Sequence, residues 1–130
     1  MNTIRSLLLV AMGGALGSAA RFLLSKAVQE HAATAFPLAT FTVNVVGCLV
    51  IGIVYGLSAR ADGMGDGMKM LLTTGFCGGF TTFSTFCNEG CSLLRGGNAW
   101  TAFAYMAASL AAGLAAVVLG LWLTQRAGAS

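Results

Sequence analysis

Four apolar stretches, each near the roughly 20 residues needed to cross a bilayer, alternate with short polar connections. They run from about Ile4 to Leu24, from about Phe36 to Leu57, from near Met68 to near Leu94, and from about Trp100 to Leu123. The pattern predicts an all-α membrane protein: one four-helix transmembrane domain spanning residues 1–130, multi-pass and without a soluble domain. Arg5 followed by an apolar run superficially suggests a cleavable leader. The apolar pattern continues to Leu24 and further spans follow, so this stretch is read as the first membrane helix.

The third stretch departs from the others. Residues Thr73 to Cys87 read TTGFCGGFTTFSTFC. Gly costs about 1 kcal/mol in a helix interior, and a cluster of hydroxyls in lipid needs partners. Gly75, Gly78 and Gly79, followed by Thr81, Thr82, Ser84 and Thr85, therefore predict a helix broken near residues 77–82. Irregular backbone at membrane depth is tolerated where protein or a water-filled cavity covers it, and such breaks offer carbonyls and helix ends to ions. Phe83 and Phe86 lie three apart on one helical face, beside rows of hydroxyls that include Thr82 with Thr85 and Thr81 with Ser84. A phenyl ring has a positive edge, so such a face can meet a small anion without presenting a full charge.

Elsewhere the polar positions are few. Gly13 with Gly17, and Gly14 with Ser18, are small-xxx-small pairs that permit close helix approach. Arg21 reads either as a snorkelling interface anchor or as a cation near an anion vestibule. Asn44 is alone in an apolar helix; its amide can donate two hydrogen bonds and accept two, and it is either interhelical glue or, the reading preferred here, a donor to a permeating anion or pore water. Tyr105 and Ser109 share one face of the last helix, extended by Thr101. Trp100 and Trp122 fall near its two ends, as an aromatic belt requires. Glu89 reads as an interface or helix-end residue, and His31 as a loop residue.

Composition narrows the class. Of 130 residues 57% are hydrophobic and 8% charged, against roughly 25% charged in soluble domains, and the mean hydropathy is +0.83. A net charge of +3 without a basic cluster argues against nucleic acid as a partner. Cys48, Cys77, Cys87 and Cys91 lie in apolar context and read as small packing residues without a disulfide. Arg5, Arg60, Lys69 and Arg126 would fall on one side of the membrane, and Arg21, Lys26 and Arg95 on the other. So even a balance selects no orientation. Two oppositely inserted copies would form an antiparallel homodimer, which would also help a small subunit bury an interrupted helix.

GGALGSAAR at 13–21, the lone Asn44 in FTVNVVGCLVIG and above all GFCGGFTTFSTF at 75–86 resemble the Fluc (CrcB) fluoride channels, and the likeness covers essentially the whole chain. The resemblance implies a dual-topology homodimer in the cell (inner) membrane. Its two antiparallel pores would export cytoplasmic fluoride passively and so protect against fluoride toxicity. It implies that Phe83 and Phe86 line the pores with Asn44 beside them, that Tyr105 and Ser109 are the fourth-helix polar positions, and that Thr81 and Ser84 are pore-side hydroxyls, next to Thr82. Arg21 matches a basic residue near the pore mouth. A central structural sodium ion (Na+) would be held by backbone carbonyls of Gly78 and Thr81 from both subunits. Fluoride is small and strongly hydrated. A pore must replace its water with donors while binding weakly enough to release it.

Two other readings compete. A small dual-topology, proton-coupled multidrug exporter needs a carboxylate inside a membrane helix, and no acidic residue is expected mid-helix. An assembly subunit would explain the small-residue faces but not the Thr, Ser and Phe cluster. An enzyme is not expected, because no nucleophile–base or metal set stands in the apolar segments.

Overall fold

The computed structural model describes residues 2–32, 36–60 and 63–128. The described residues are helical, without strands. Helix α1 (Thr3–His31) starts at Asn2, whose side chain accepts from the Ile4 amide at 2.8 Å. Helix α2 (Leu38–Ser58) begins after Pro37, which lacks the amide hydrogen that a helix start leaves unused. The last helix, α6 (Ala99–Gly128), follows a turn at Gly97, whose φ of 81° suits glycine. By length and composition α1, α2 and the 99–125 part of α6 can each cross a membrane.

The remaining unit is assembled from pieces. Helix α3 (Asp66–Met70) runs into a π-helical segment, π1 (Leu71–Cys77), and then a single turn, α4 (Gly78–Phe80). Thr81 and Thr82 are extended, with φ/ψ of −88°/163° and −148°/121°. Helix α5 (Phe83–Arg95) then begins, and the Thr82 hydroxyl caps it by accepting from the Thr85 amide at 3.3 Å. The widened segment carries adjacent β-branched residues, Thr73 and Thr74, and Gly75. The Thr73 hydroxyl donates back to the Lys69 carbonyl at 2.7 Å, the kind of back-bond that bends helices.

Two packings hold these pieces. Helices α2 and α6 form the most extensive pair, meeting at Gly52 and Gly120. A Cβ added at Gly120 would stand 2.7 Å from the Ile53 amide nitrogen, and one at Gly52 3.0 Å from the Val117 Cα. Helix α1 lies on π1 and α4 through the expected glycine pair. A Cβ on Gly13 would come within 2.9 Å of the Gly75 Cα, and one on Gly17 within 2.9 Å of the Phe80 amide nitrogen. Gly79 returns the contact, 3.0 Å from the Gly14 Cα on the same measure. Backbone therefore lies directly on backbone, a separation any side chain would prevent.

A compact aromatic cluster closes the other side of α5. Tyr105 and Ala102 are fully buried beside Leu93. Ring centroids stand 5.3 Å apart for Phe36 and Tyr105 and 5.1 Å for Phe86 and Tyr105, within the range of favourable aromatic contacts. Outside this packing Leu8, Met12, Leu16 and Leu23 of α1, and Phe103, Leu110, Leu114 and Val118 of α6, are exposed. Exposed apolar faces of this length suit hydrocarbon rather than water.

The glycine seam yields a test. Gly17→Val is expected to destabilise the protein by at least about 1–3 kcal/mol through overpacking, whereas Leu16→Val, on the exposed face of the same helix turn, stays within about 1 kcal/mol. Unfolding midpoints in mixed detergent–SDS micelles compare the two.

Candidate functional site

The interruption leaves backbone groups that a continuous helix would have paired, and neighbouring side chains take them up. The Asn44 amide on α2 grips Thr82 at two points: its Nδ2 donates to the Thr82 carbonyl at 3.1 Å, and its Oδ1 accepts from the Thr82 amide at 2.8 Å. Only one orientation of the amide satisfies both bonds. Asn44 thus mimics a neighbouring strand across the extended residue. This uses one of its two donors and one of its two lone pairs, so interhelical glue and an available donor coexist in one residue.

Arg21 completes the bracing. Its Nε donates to the Gly79 carbonyl at 3.0 Å, placing a cation at the carbonyl end of the broken helix, where charge and hydrogen bonding both favour it. The Thr81 hydroxyl donates to the Cys77 carbonyl at 2.8 Å, which also accepts from the Thr81 amide at 3.0 Å. The Gly78 and Thr81 carbonyls are among those that lose their helical donors. The amides of Thr82 and Thr85, which an unbroken helix would aim at Gly78 and Thr81, are turned to Asn44 Oδ1 and Thr82 Oγ1 instead.

Beside this break runs a groove of about 670 Å³. Asn44, Gly47, Cys48, Ile51 and Tyr55 line it from α2, a spacing that keeps one helix face over about 16 Å. Opposite stand Thr73, Thr74, Cys77, Gly78, Thr81 and Thr82. Phe83 and Phe86 close one end together with Met106 and Ser109 of α6. Their rings are tilted by 35° with centroids 6.1 Å apart, and Phe83 remains 77% exposed. The Ser109 hydroxyl oxygen is buried and has no hydrogen-bond partner.

The structure therefore gathers Asn44, Gly78, Thr81, Thr82, Phe83, Phe86 and Ser109 around one space and leaves three candidates outside its lining. Ser84 is exposed on α5. Arg21 is engaged behind the break. Tyr105 is buried and donates to Glu89 Oε1 at 3.2 Å. Glu89 itself lies in the middle of α5, not at a helix end, so the expectation that no carboxylate sits mid-helix is corrected. Its partner is 16 residues away, beyond any local spacing rule. Cys77 is buried, whereas Cys87 and Cys91, expected to pack, are exposed. Thr73 and Thr74 join the lining ahead of the glycines, and their adjacent β-branched side chains are the sequence signal for it.

Chemically the groove offers neutral donors and ring edges and no charged side chain. It suits a small anion or polar solute in transit better than bond-making chemistry.

The fold and the groove define a small multi-pass membrane protein built around an interrupted helical unit. Residues 8–121 match the family described as "CrcB-like protein, Camphor Resistance (CrcB)", and the chain belongs to that family. It is 42% identical over 122 residues to the "Fluoride-specific ion channel FluC" of Phocaeicola vulgatus, covering 94% of this chain and 100% of the relative. It is 49% identical over 119 residues to the protein of that name from Methylobacillus flagellatus, with 91% and 93% coverage. It is 48% identical over 119 residues to "Fluoride-specific ion channel FluC 2" of Rhodococcus jostii, with 92% and 98% coverage. These relatives are named as channels, not as enzymes.

Asn44→Ala removes both bonds to Thr82, leaving its backbone amide unpaired and its carbonyl with one donor fewer. A loss of about 2–4 kcal/mol in stability is expected, measured by the same detergent–SDS unfolding. Asn44→Gln, whose longer side chain retains the amide, is expected to lose less.

Proposed function

We propose that this protein is a fluoride channel that lets cytoplasmic fluoride leave passively through the cell (inner) membrane and so limits its toxicity. One observation carries the reading: a half-used Asn44 amide, an unpartnered Ser109 hydroxyl and the Phe83 and Phe86 rings border a single groove that contains no charge. In a chain whose relatives bear the name of fluoride channels, that set suits an anion that must trade its water for donors. Asn44, Thr82 and Ser109 would supply polar hydrogens, and Phe83 and Phe86 ring edges. Tyr105 would act from behind, holding Phe86 and Glu89. The first-turn amides of α5, which a helix start leaves without internal partners, favour negative charge at the same break. Arg21 would add positive potential from its seat on Gly79.

The working unit is proposed to be an antiparallel, dual-topology homodimer with two pores. The balanced charge on the two sides and the open groove of a single copy support it. A structural sodium ion fits the same arrangement, because hard cations take oxygen ligands and the helical donors of the Gly78 and Thr81 carbonyls are engaged elsewhere. When bound, it would satisfy those carbonyls and tie two copies together.

The proton-coupled exporter draws support from Glu89, a carboxylate within α5. It does not border the groove and is hydrogen-bonded to Tyr105, so the channel reading stands above it.

Purified protein in liposomes is expected to dissipate a fluoride gradient with little chloride flux and no requirement for a proton gradient. Phe83→Ile and Asn44→Asp are each expected to cut fluoride flux by about tenfold or more, the ratio that about 1.4 kcal/mol of lost ion stabilisation produces, while the protein still elutes as a dimer. A fluoride gradient that persists in the presence of the wild-type protein would reject the channel; flux that rises and falls with an imposed proton gradient would favour the exporter.

A further inference from the structure

At the end away from the phenylalanines the groove is bounded by Tyr55, Thr73 and Thr74. A second cavity of about 430 Å³ is lined by the same two threonines together with Ser6, Asp66, Lys69 and Met70. The two spaces therefore adjoin at Thr73 and Thr74. Tyr55 marks the junction as well: it lines the groove, and the Lys69 ammonium stands 4.8 Å from its ring centroid.

Lys69 is placed to keep its charge available. A cation over a ring face is held by the ring quadrupole without being neutralised. Asp66 lines the same cavity three positions earlier, yet no ion pair between the two is present among the described residues. An Arg5 guanidinium nitrogen also reaches α3, 3.9 Å from where a Gly67 Cβ would stand. Lys69 and Asp66 thus share a polar space, with Arg5 near α3 outside its lining, while the groove beyond is lined only by neutral groups. A cleft with positive charge at its opening concentrates anions there and speeds their entry.

Resting on the channel reading above, we propose that the cavity around Lys69 and Tyr55 is the anion-collecting mouth of the groove. Lys69 recruits the hydrated ion, and the hydroxyls of Ser6, Thr73 and Thr74 take over part of its water before it passes Tyr55. The competing role for Lys69 is a membrane-interface anchor, its stem on apolar surface and its charge in water.

Fluoride efflux from liposomes separates the two when wild type, Lys69→Arg, Lys69→Gln and Lys69→Glu are compared. The external impermeant salt is set to an ionic strength of about 10 mM and then about 1 M, where screening lengths are about 30 Å and 3 Å. At low ionic strength Lys69→Gln is expected to lose about twofold and Lys69→Glu about fourfold, the effect of one and two charge units about 10 Å from an ion in water. Lys69→Arg should match wild type, and the differences should vanish at high ionic strength. Equal flux for all four proteins at low ionic strength would overturn the proposal. So would a loss that persists in high salt, the mark of an anchoring role, or one that Lys69→Arg shares, since arginine keeps the charge. A wild-type protein that passes no fluoride defeats the channel reading itself, a result distinct from any of these.

Discussion

The grip of Asn44 on Thr82 is the interaction on which the rest depends. An interrupted helix in an apolar surrounding exposes amides and carbonyls that water cannot reach, and each one left unpaired costs several kcal/mol. Asn44 supplies one donor and one acceptor to the residue that has left helical geometry, which an ionised carboxylate in its place, having no donor, would not do. Thr82 uses its own hydroxyl to start α5, and Arg21 covers the carbonyl end of the preceding turn. With these bonds in place the break can exist as an ordered feature. The Gly78 and Thr81 carbonyls, whose helical donors are engaged elsewhere, belong to residues that line the groove.

Bracing of this kind requires elements that do not drift. The glycine seam between α1 and the segment 71–80 sets a backbone-to-backbone distance that few sequences permit, and the Gly52–Gly120 crossing does the same for α2 and α6. Lipid offers no hydrophobic drive between helices, so close packing through small residues has to supply the association. The aromatic cluster around Tyr105 then fixes Phe86 from behind, leaving Phe83 exposed beside it.

The electrostatic design follows from the same parts. A fixed cation inside the groove would bind an anion tightly and slow its exit. The structure instead keeps the Arg21 guanidinium on the Gly79 carbonyl and the Lys69 ammonium over the Tyr55 ring, neither of them lining the groove. On the channel reading, positive potential would thereby be felt along the groove without a charged ligand standing in it. Glu89 is likewise kept from the groove, hydrogen-bonded to a buried phenol.

Much of this was legible in the chain itself. The apolar lengths of α1, α2 and α6 and the family follow from residue pattern and motif, because lipid imposes a composition that no other solvent does. So does the significance of Gly13, Gly17, Asn44 and the run from Thr73 to Phe86, since glycine and unpaired polar groups are costly in a membrane helix and stand out. Contacts between distant residues were not legible. That Arg21 seats on Gly79, that Asn44 reads the backbone of Thr82 rather than a side chain, that Tyr105 pairs with Glu89, and that Lys69 stands over Tyr55 all depend on how rigid helices cross. Crossing angles and heights are decided by the summed fit of many small contacts, and only the folded chain resolves that sum.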